Sequence, residues 1–389
     1  MTFDDIRKLD GTELRYALME LARDIPDAIA LGRGDPDLAT PVHIVAAAKA
    51  AMQRGDTPLY PVEGMPELRE AIAARSPRDH GQALDPSNVL ITTGGQEGLF
   101  LIMNALLDPG DEILVPDPRY SSYDQAIAHT GATQVAVPCY AEDGFDVRAD
   151  EIAARITPRT KALLLVTPSN PTGGIVTPEN AKQIADLARR HDFVVVSDEI
   201  YGKFVWEPFE HVSIGALPDM QDRTITLSGF SKAYAMTGWR VGYVLAPEHV
   251  VRGMAATKGS TTGAVASVSQ HAALAAATGP DDCIEEFRGI YRDRRSILAE
   301  GLTEMGLTYG EPRGGFFFWV NSSSLGLRAL ELSYLLLKEA KVLIFPGTAF
   351  GDAWSDYLRI TTLQPASVLE DAIERMKPVL RVHAVSQSG

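Results

Sequence analysis

Short runs of apolar, largely β-branched residues recur through the middle of the chain: Val89 to Thr93, Ile113 to Val115, Ala162 to Val166, Phe193 to Ser197 and Thr224 to Ser228. Runs with no polar face predict strands covered on both sides, the pattern of a mostly parallel sheet between layers of helix. Between them the period changes from two to 3.6. Thr177 and Pro178 make an N-cap and first-turn pair, after which Ala181, Ile184, Ala185 and Ala188 repeat at helical spacing and predict a crossover helix. The fold class is therefore α/β. After about residue 280 the texture alters: Cys283 to Met305 reads as a long amphipathic helix, Gly314 to Val320 as a Gly/aromatic strand, and Ala329 to Ala340 as another helix. Few strands alternate with helices there, which predicts a smaller α+β lobe. The expected division is 1–44 with the small domain, 45–280 as the large domain and 281–389 as the small C-terminal domain.

A chain of 389 residues exceeds the size at which one core keeps growing, so two lobes with a cleft between them are expected. The hydrophobic and charged fractions, 45% and 22%, are those of a globular enzyme and exclude disorder. A net charge of −15 without any basic block argues against nucleic acid as a partner. Cys139 and Cys283 are far apart and lack CxxC spacing, so neither a disulfide framework nor a metal site is indicated, and a reducing cytoplasm fits. The acidic first residues carry no apolar leader, and no apolar run is long enough to span a bilayer, so no membrane partner is expected.

Open α/β sheets bind ligands outside the carboxyl ends of their strands, and several chemically capable residues fall there. Val89 to Thr93 runs into Gly94 and Gly95 and then a helix from Gln96 to Leu107, a turn that presents N–H groups and a helix dipole to an anion such as a phosphate. An ordinary tight turn would explain the glycines equally. No GxxxxGK or GxGxxG is present, against a nucleotide site. Phe193 to Ser197 ends in Asp198, Glu199, Ile200 and Tyr201. A buried carboxylate needs a cationic or strongly donating partner, which a protonated pyridine nitrogen would supply, with the Tyr201 hydroxyl directed at the same ligand. A helix cap at Asp198 and a packed Tyr201 is the bland alternative. Asn170-Pro171-Thr172-Gly173 is a turn by composition whose amide is suited to hydrogen-bonding a phenolate oxygen. Arg359, within Tyr357 to Thr361, suits a substrate carboxylate or a surface ion pair.

The most informative stretch is Ser228 to Tyr243, SGFSKAYAMTGWRVGY. Lys232 lies among small residues, where desolvation lowers an ammonium pKa and frees an amine to attack a carbonyl. Arg240 adds a planar cation fitted to a phosphate.

In this order, NPTG, DEIY, SK with TGWR, and a late arginine, the sequence resembles the fold-type I, class I/II aminotransferases, from Gly34-Asp35-Pro36-Asp37 to Arg359. The resemblance implies the pyridoxal-phosphate-dependent transferase fold, pyridoxal 5′-phosphate as cofactor, and an amino acid and a 2-oxo acid as substrates. It implies further that Lys232 forms the Schiff base and moves the proton, and that Asp198 keeps the pyridine nitrogen protonated. Tyr201 and Asn170 would hydrogen-bond the ring oxygen, and Tyr120 would stack on the ring. Gly95, Gln96 and Arg240 match phosphate-binding positions. Arg359, with the Gly34 backbone, matches the anchor of the substrate α-carboxylate.

Three positions depart from the family pattern. The hydroxyl residue often found three before the lysine is Gly229 here, leaving Ser228 or Ser231 as the phosphate ligand, or neither. Tyr60 precedes Gly64 by four residues where five is usual for the tyrosine that reaches the neighbouring subunit's phosphate. Gln96 stands where some aspartate-using relatives carry a lysine for the distal carboxylate, and Arg33 is the candidate replacement, unless it pairs with a neighbouring acid. A shared phosphate site implies a homodimer, with Lys258 to Gln270 near its cleft. The expected donor is an acidic or aromatic amino acid. The same cofactor chemistry would also serve a carbon–sulfur β-lyase, and similar folds occur as non-catalytic effector-binding domains.

Overall fold

The computed structural model describes residues 2–385. Its large lobe is built on seven strands: β1 (Val89–Thr92), β2 (Glu112–Asp117), β3 (Thr133–Pro138), β4 (Thr160–Val166), β5 (Val194–Asp198), β6 (Thr224–Gly229) and β7 (Gly242–Leu245). They lie in the order β1-β7-β6-β5-β4-β2-β3. All neighbours pair in parallel except β7, which runs antiparallel to both β1 and β6. The five expected strands are present with small shifts of their ends. β3 and β7 are additions: β3 is an edge strand whose residues are mostly half-buried or exposed, so it lacks the solid apolar run that marks the others.

Register sets the site. Val166 pairs with Asp198, and Asp198 with Leu227, so β4, β5 and β6 end level and release Asn170, Asp198 and Lys232 at one rim. The crossover helix Pro178–His191 forms as expected, with the Thr177 hydroxyl accepting from Asn180 N at 3.3 Å. Its buried residues, Ala181, Ile184, Ala185, Leu187 and Ala188, pack on the sheet. The helix after β1 spans Gly94–Leu106, so the two glycines lie within its first turn rather than before it.

The C-terminal lobe has an antiparallel sheet of β8 (Thr308–Tyr309), β9 (Phe317–Asn321), β10 (Phe345–Pro346) and β11 (Tyr357–Thr361), ordered β10-β11-β9-β8. Helices Asp282–Glu304 and Ala366–Val385 pack together beside it, and Leu298, Leu302, Leu369 and Ile373 are among the residues that close its core. The expected helix Ala329 to Ala340 is α-helical over Ala329–Leu335 and finishes as a π turn over Leu336–Ala340. Ile29–Ala30 pairs in parallel with Val342–Leu343. Helix Gly11–Arg23 buries Leu14, Leu18 and Leu21 in a cluster that also holds Leu114 of β2 and Phe345 of β10, which fastens one lobe to the other. No described helix is long and apolar enough to cross a membrane, and no metal-ligating cluster occurs among the described residues.

Candidate active site

A cavity of about 440 Å³ opens at the carboxyl rim of β4, β5 and β6, between the lobes. Twelve of the thirteen candidate residues line it: Arg33, Gly34, Gly95, Gln96, Tyr120, Asn170, Asp198, Tyr201, Ser231, Lys232, Arg240 and Arg359. They come from segments more than 300 residues apart. Lys232 Nζ donates to the Gly34 carbonyl oxygen at 2.7 Å and lies 3.7 Å from Asp35 Oδ1. Burial pulls this ammonium below its ordinary value, partly offset by Asp35.

Asp198, the last residue of β5, is buried without an ion-pair partner. Burial pushes its carboxyl up to about 6, although Tyr123 Oη donates to Oδ2 at 2.7 Å and Ile200 N to Oδ1 at 3.2 Å. The local cap was one reading of this residue; Tyr123, which the sequence did not single out, is its strong donor. The adjacent Glu199 turns away and is met by Ser197 and Ser213 at 2.9 and 2.8 Å and by His80 and His211 at 2.9 and 3.2 Å. Tyr201 packs edge-on against Phe316 and Phe317, and burial followed by the Asp198 charge keeps its hydroxyl protonated.

Arg359, on β11, is fully enclosed. Its Nη1 donates to Asn170 Oδ1 at 2.7 Å and its Nη2 to the Gly32 carbonyl oxygen, while Nε has no partner. Burial and then the charge of Arg15 push it down to about 9, the mark of a cation held without an anion. The surface ion pair allowed by the sequence is excluded. Arg240 takes a left-handed φ of +54° and sits against the first turn of helix Gly94–Leu106. A Cβ on Gly94 would lie 2.6 Å from its Nη2, whereas one on Gly95 would meet nothing within 4 Å. Glycine there leaves the amides of a helix N-terminus and a guanidinium facing one empty volume, a cradle for a phosphate.

Of the two serines, Ser231 lines this cavity, whereas Ser228 lines a different one of about 250 Å³ with His80 and Glu199. Arg33 lines the cavity and lies 3.4 Å from Asp35 Oδ2, with its side chain 60% exposed. Tyr60 does not enter the cavity of its own chain; its hydroxyl is 3.3 Å from His271 Nε2. Residues 258–270 do not line it either. Lys258 is buried against Glu97, at 3.2 Å, and Gln270 Oε1 accepts from Met65 N at 2.6 Å. Beyond Tyr123, the sequence reading missed Thr12, Arg15, Tyr16 and Met19, one face of helix Gly11–Arg23 along the cavity. Their i, i+3, i+4, i+7 spacing was available as a signal.

A buried amine, a buried acid and an arginine without an ion-pair partner around one cavity in an α/β sheet make a site suited to catalysis on a small carboxylate-bearing ligand. A family model, "Aminotransferase class I and II", matches residues 26–376. The chain is 38% identical to aromatic-amino-acid aminotransferase 2 of Thermococcus litoralis and to an aspartate aminotransferase of Pyrococcus abyssi, each match covering 97% of this chain and 98% of the relative. The crystal structure of an aromatic aminotransferase from Pyrococcus horikoshii superposes with a TM-score of 0.89 at 38% identity, covering 94% of this chain and 99% of that one. The chain belongs to the class I and II aminotransferases and is an amino-acid aminotransferase.

Proposed function

We propose that the chain works with pyridoxal 5′-phosphate in this cavity, transferring amino groups from acidic and aromatic L-amino acids to 2-oxo acids, as a homodimer in a reducing cytoplasm. The observation that carries the proposal is Lys232 Nζ, a buried amine of lowered pKa held at the Gly34 carbonyl, on the same cavity as Asp198 and the uncompensated Arg359. The residues present fit the cofactor. The open space over Gly95, with Arg240 beside it, suits a phosphate, and the unpaired Asp198 suits a protonated ring nitrogen. When bound, the cofactor supplies a carbonyl for the amine and a ring that accepts electrons released at the substrate α-carbon.

The chain's own groups then divide the work. Lys232 would provide the nucleophilic amine and the base that takes the substrate α-proton and returns it as an acid. Asp198, steadied by Tyr123, holds the proton on the ring nitrogen, because a cation beside it removes the cost of its buried charge. Tyr201 and Asn170 would hydrogen-bond the ring oxygen, and Tyr120 would stack on the ring. Gly95, Gln96, Ser231 and Arg240 would receive the phosphate. Arg359, with Asn170 and the Gly34 backbone, receives the α-carboxylate.

Acidic and aromatic donors are supported by the relatives, which are named for aspartate and for aromatic amino acids. The dimer is supported by Tyr60, outside its own cavity, and by its exposed apolar neighbours. Leu59 is 89% and Val42 84% exposed, and Val45 and Met52 follow Val42 on helix Val42–Arg54. A second copy would cover this strip and take Tyr60 to its phosphate. The pairing of Ile29–Ala30 with Val342–Leu343 supports assigning 1–44 and 281–389 to the small domain and 45–280 to the large one. Two free thiols, Cys139 buried and Cys283 half-buried, suit the cytoplasm.

The test is to incubate the protein with pyridoxal 5′-phosphate, reduce with borohydride and map the adduct. A pyridoxyl group on Lys232, with conversion of the bound aldehyde to its amine form by aspartate and phenylalanine, is expected. An adduct elsewhere, or none, overturns the assignment.

A further inference from the structure

We infer that Arg15 forms a second anion subsite of this cavity, which receives the distal carboxylate of a dicarboxylic amino acid or oxo acid; the inference rests on the reading of Arg359 as the α-carboxylate anchor. Arg15 lies on the cavity-facing side of helix Gly11–Arg23. Its guanidinium sits 4.8 Å over the Tyr120 ring. It makes no ion pair with any described carboxylate. Its Nη2 donates to Thr12 Oγ1 at 3.2 Å, and its buried Nε has no partner. Thr12 in turn shares a 3.0 Å hydrogen bond with Ser121, so the arginine is braced from its own helix.

The neighbouring arginine makes this arrangement informative. Arg15 and Arg359 both line the cavity and lie 6.0 and 4.6 Å from the centroid of the same Phe350 ring, close enough for the charge of Arg15 to act on Arg359. Two fixed cations this close, neither neutralised by a carboxylate, are costly unless a ligand brings two negative charges. One molecule with carboxylates at both ends satisfies both, and each guanidinium can hold its carboxylate in a charge-assisted pair. Arg33 is less suited, since Asp35 already accompanies it and its side chain is mostly in solvent. Gln96 supplies no charge. Tyr16 and Met19 on the same helix face offer apolar surface to a substrate that lacks the second carboxylate, which fits one cavity accepting both kinds of donor.

The test uses the cofactor-loaded enzyme and three variants: Arg15→Gln, Arg15→Lys and Arg33→Gln. Arg15→Gln is expected to lower kcat/KM for aspartate and glutamate by roughly 10- to 100-fold while changing that for phenylalanine by less than about threefold. Arg15→Lys should recover part of the loss, because the charge returns without the planar fork. Arg33→Gln should leave the acidic-to-aromatic ratio where it is. Succinate and butyrate, followed by the shift they cause in cofactor absorbance, give a readout independent of turnover. Succinate should weaken in Arg15→Gln by a similar factor and butyrate should not. Equal losses for aspartate and phenylalanine, an unchanged ratio, or a larger effect of Arg33→Gln would overturn the subsite. Absence of the Lys232 adduct in the wild type would instead overturn the reading of the site beneath it.

Discussion

Asp198 is the residue at which folding and function pull in opposite directions. An unfolded aspartate titrates near 3.8, and here burial raises the carboxyl to about 6. In the cofactor-free protein the folded state therefore binds more protons than the unfolded one between these values. Stability falls as pH rises through the window, and the loss persists above it. Holding this carboxylate ionised in the folded protein costs roughly 2–3 kcal/mol at neutral pH. Asp198→Asn removes that cost while keeping an acceptor for Tyr123. The cofactor-free variant is expected to be more stable than wild type by about 2 kcal/mol at pH 7 in urea titrations, with the gain shrinking toward pH 4. Its amino-transfer rate should nonetheless drop by roughly 100-fold or more, because no carboxylate remains to hold the ring proton. A variant no more stable at pH 7 would show that Asp198 is not strained by burial.

At the scale of elements, helix Gly94–Leu106 owes its place to what it lacks. Gly98 leaves room for Leu227 of β6, since a Cβ there would fall 2.6 Å from Leu227 Cδ1, and Gly94 leaves room for Arg240. Gly94 also adopts φ +73°, which an L-residue reaches at a cost of about 1–2 kcal/mol. Glu97, in the first turn, ties Thr93 N at 2.5 Å and Lys258 at 3.2 Å to this end of the helix. Gly94→Ala should displace the Arg240 guanidinium and weaken cofactor binding by about tenfold or more, with far-ultraviolet circular dichroism unchanged. Spectrophotometric titration of the cofactor-free protein measures the effect, and undiminished affinity would remove Arg240 from the phosphate cradle.

For the whole molecule, the residue that does not join its own cavity is as informative as those that do. Tyr60 follows Leu59, whose side chain stands almost entirely in solvent, and Val42, Val45 and Met52 are exposed on helix Val42–Arg54; exposed apolar side chains in such numbers suit a protein interface. Leu59→Glu should shift the sedimentation profile toward monomer and loosen the cofactor by about tenfold as the partner's tyrosine is withdrawn. A wild type that sediments as a monomer, or a variant that remains dimeric with full cofactor affinity, would remove this surface from the interface.

Local chemistry was enough for much of this protein. Near-continuous apolar runs marked five of the seven large-sheet strands, because burial on both faces leaves little room for polar side chains. The Thr177-Pro178 pair marked a helix start because capping is settled within four residues. Lys232, Asp198 and Arg359 stood out because each carries a charge that a buried setting must put to use. What local chemistry could not supply was company. Tyr123 meets Asp198 from 75 residues away in the chain, and Arg15 and Arg359, from opposite ends of the chain, meet the same Phe350 ring. Ser231 faces the cavity while Ser228 faces another, and Arg33 lies beside Asp35, through backbone direction and distance. Those are properties of how segments are brought together, and they exist only once the packed core has set the relative positions of the strand ends and the N-terminal helix.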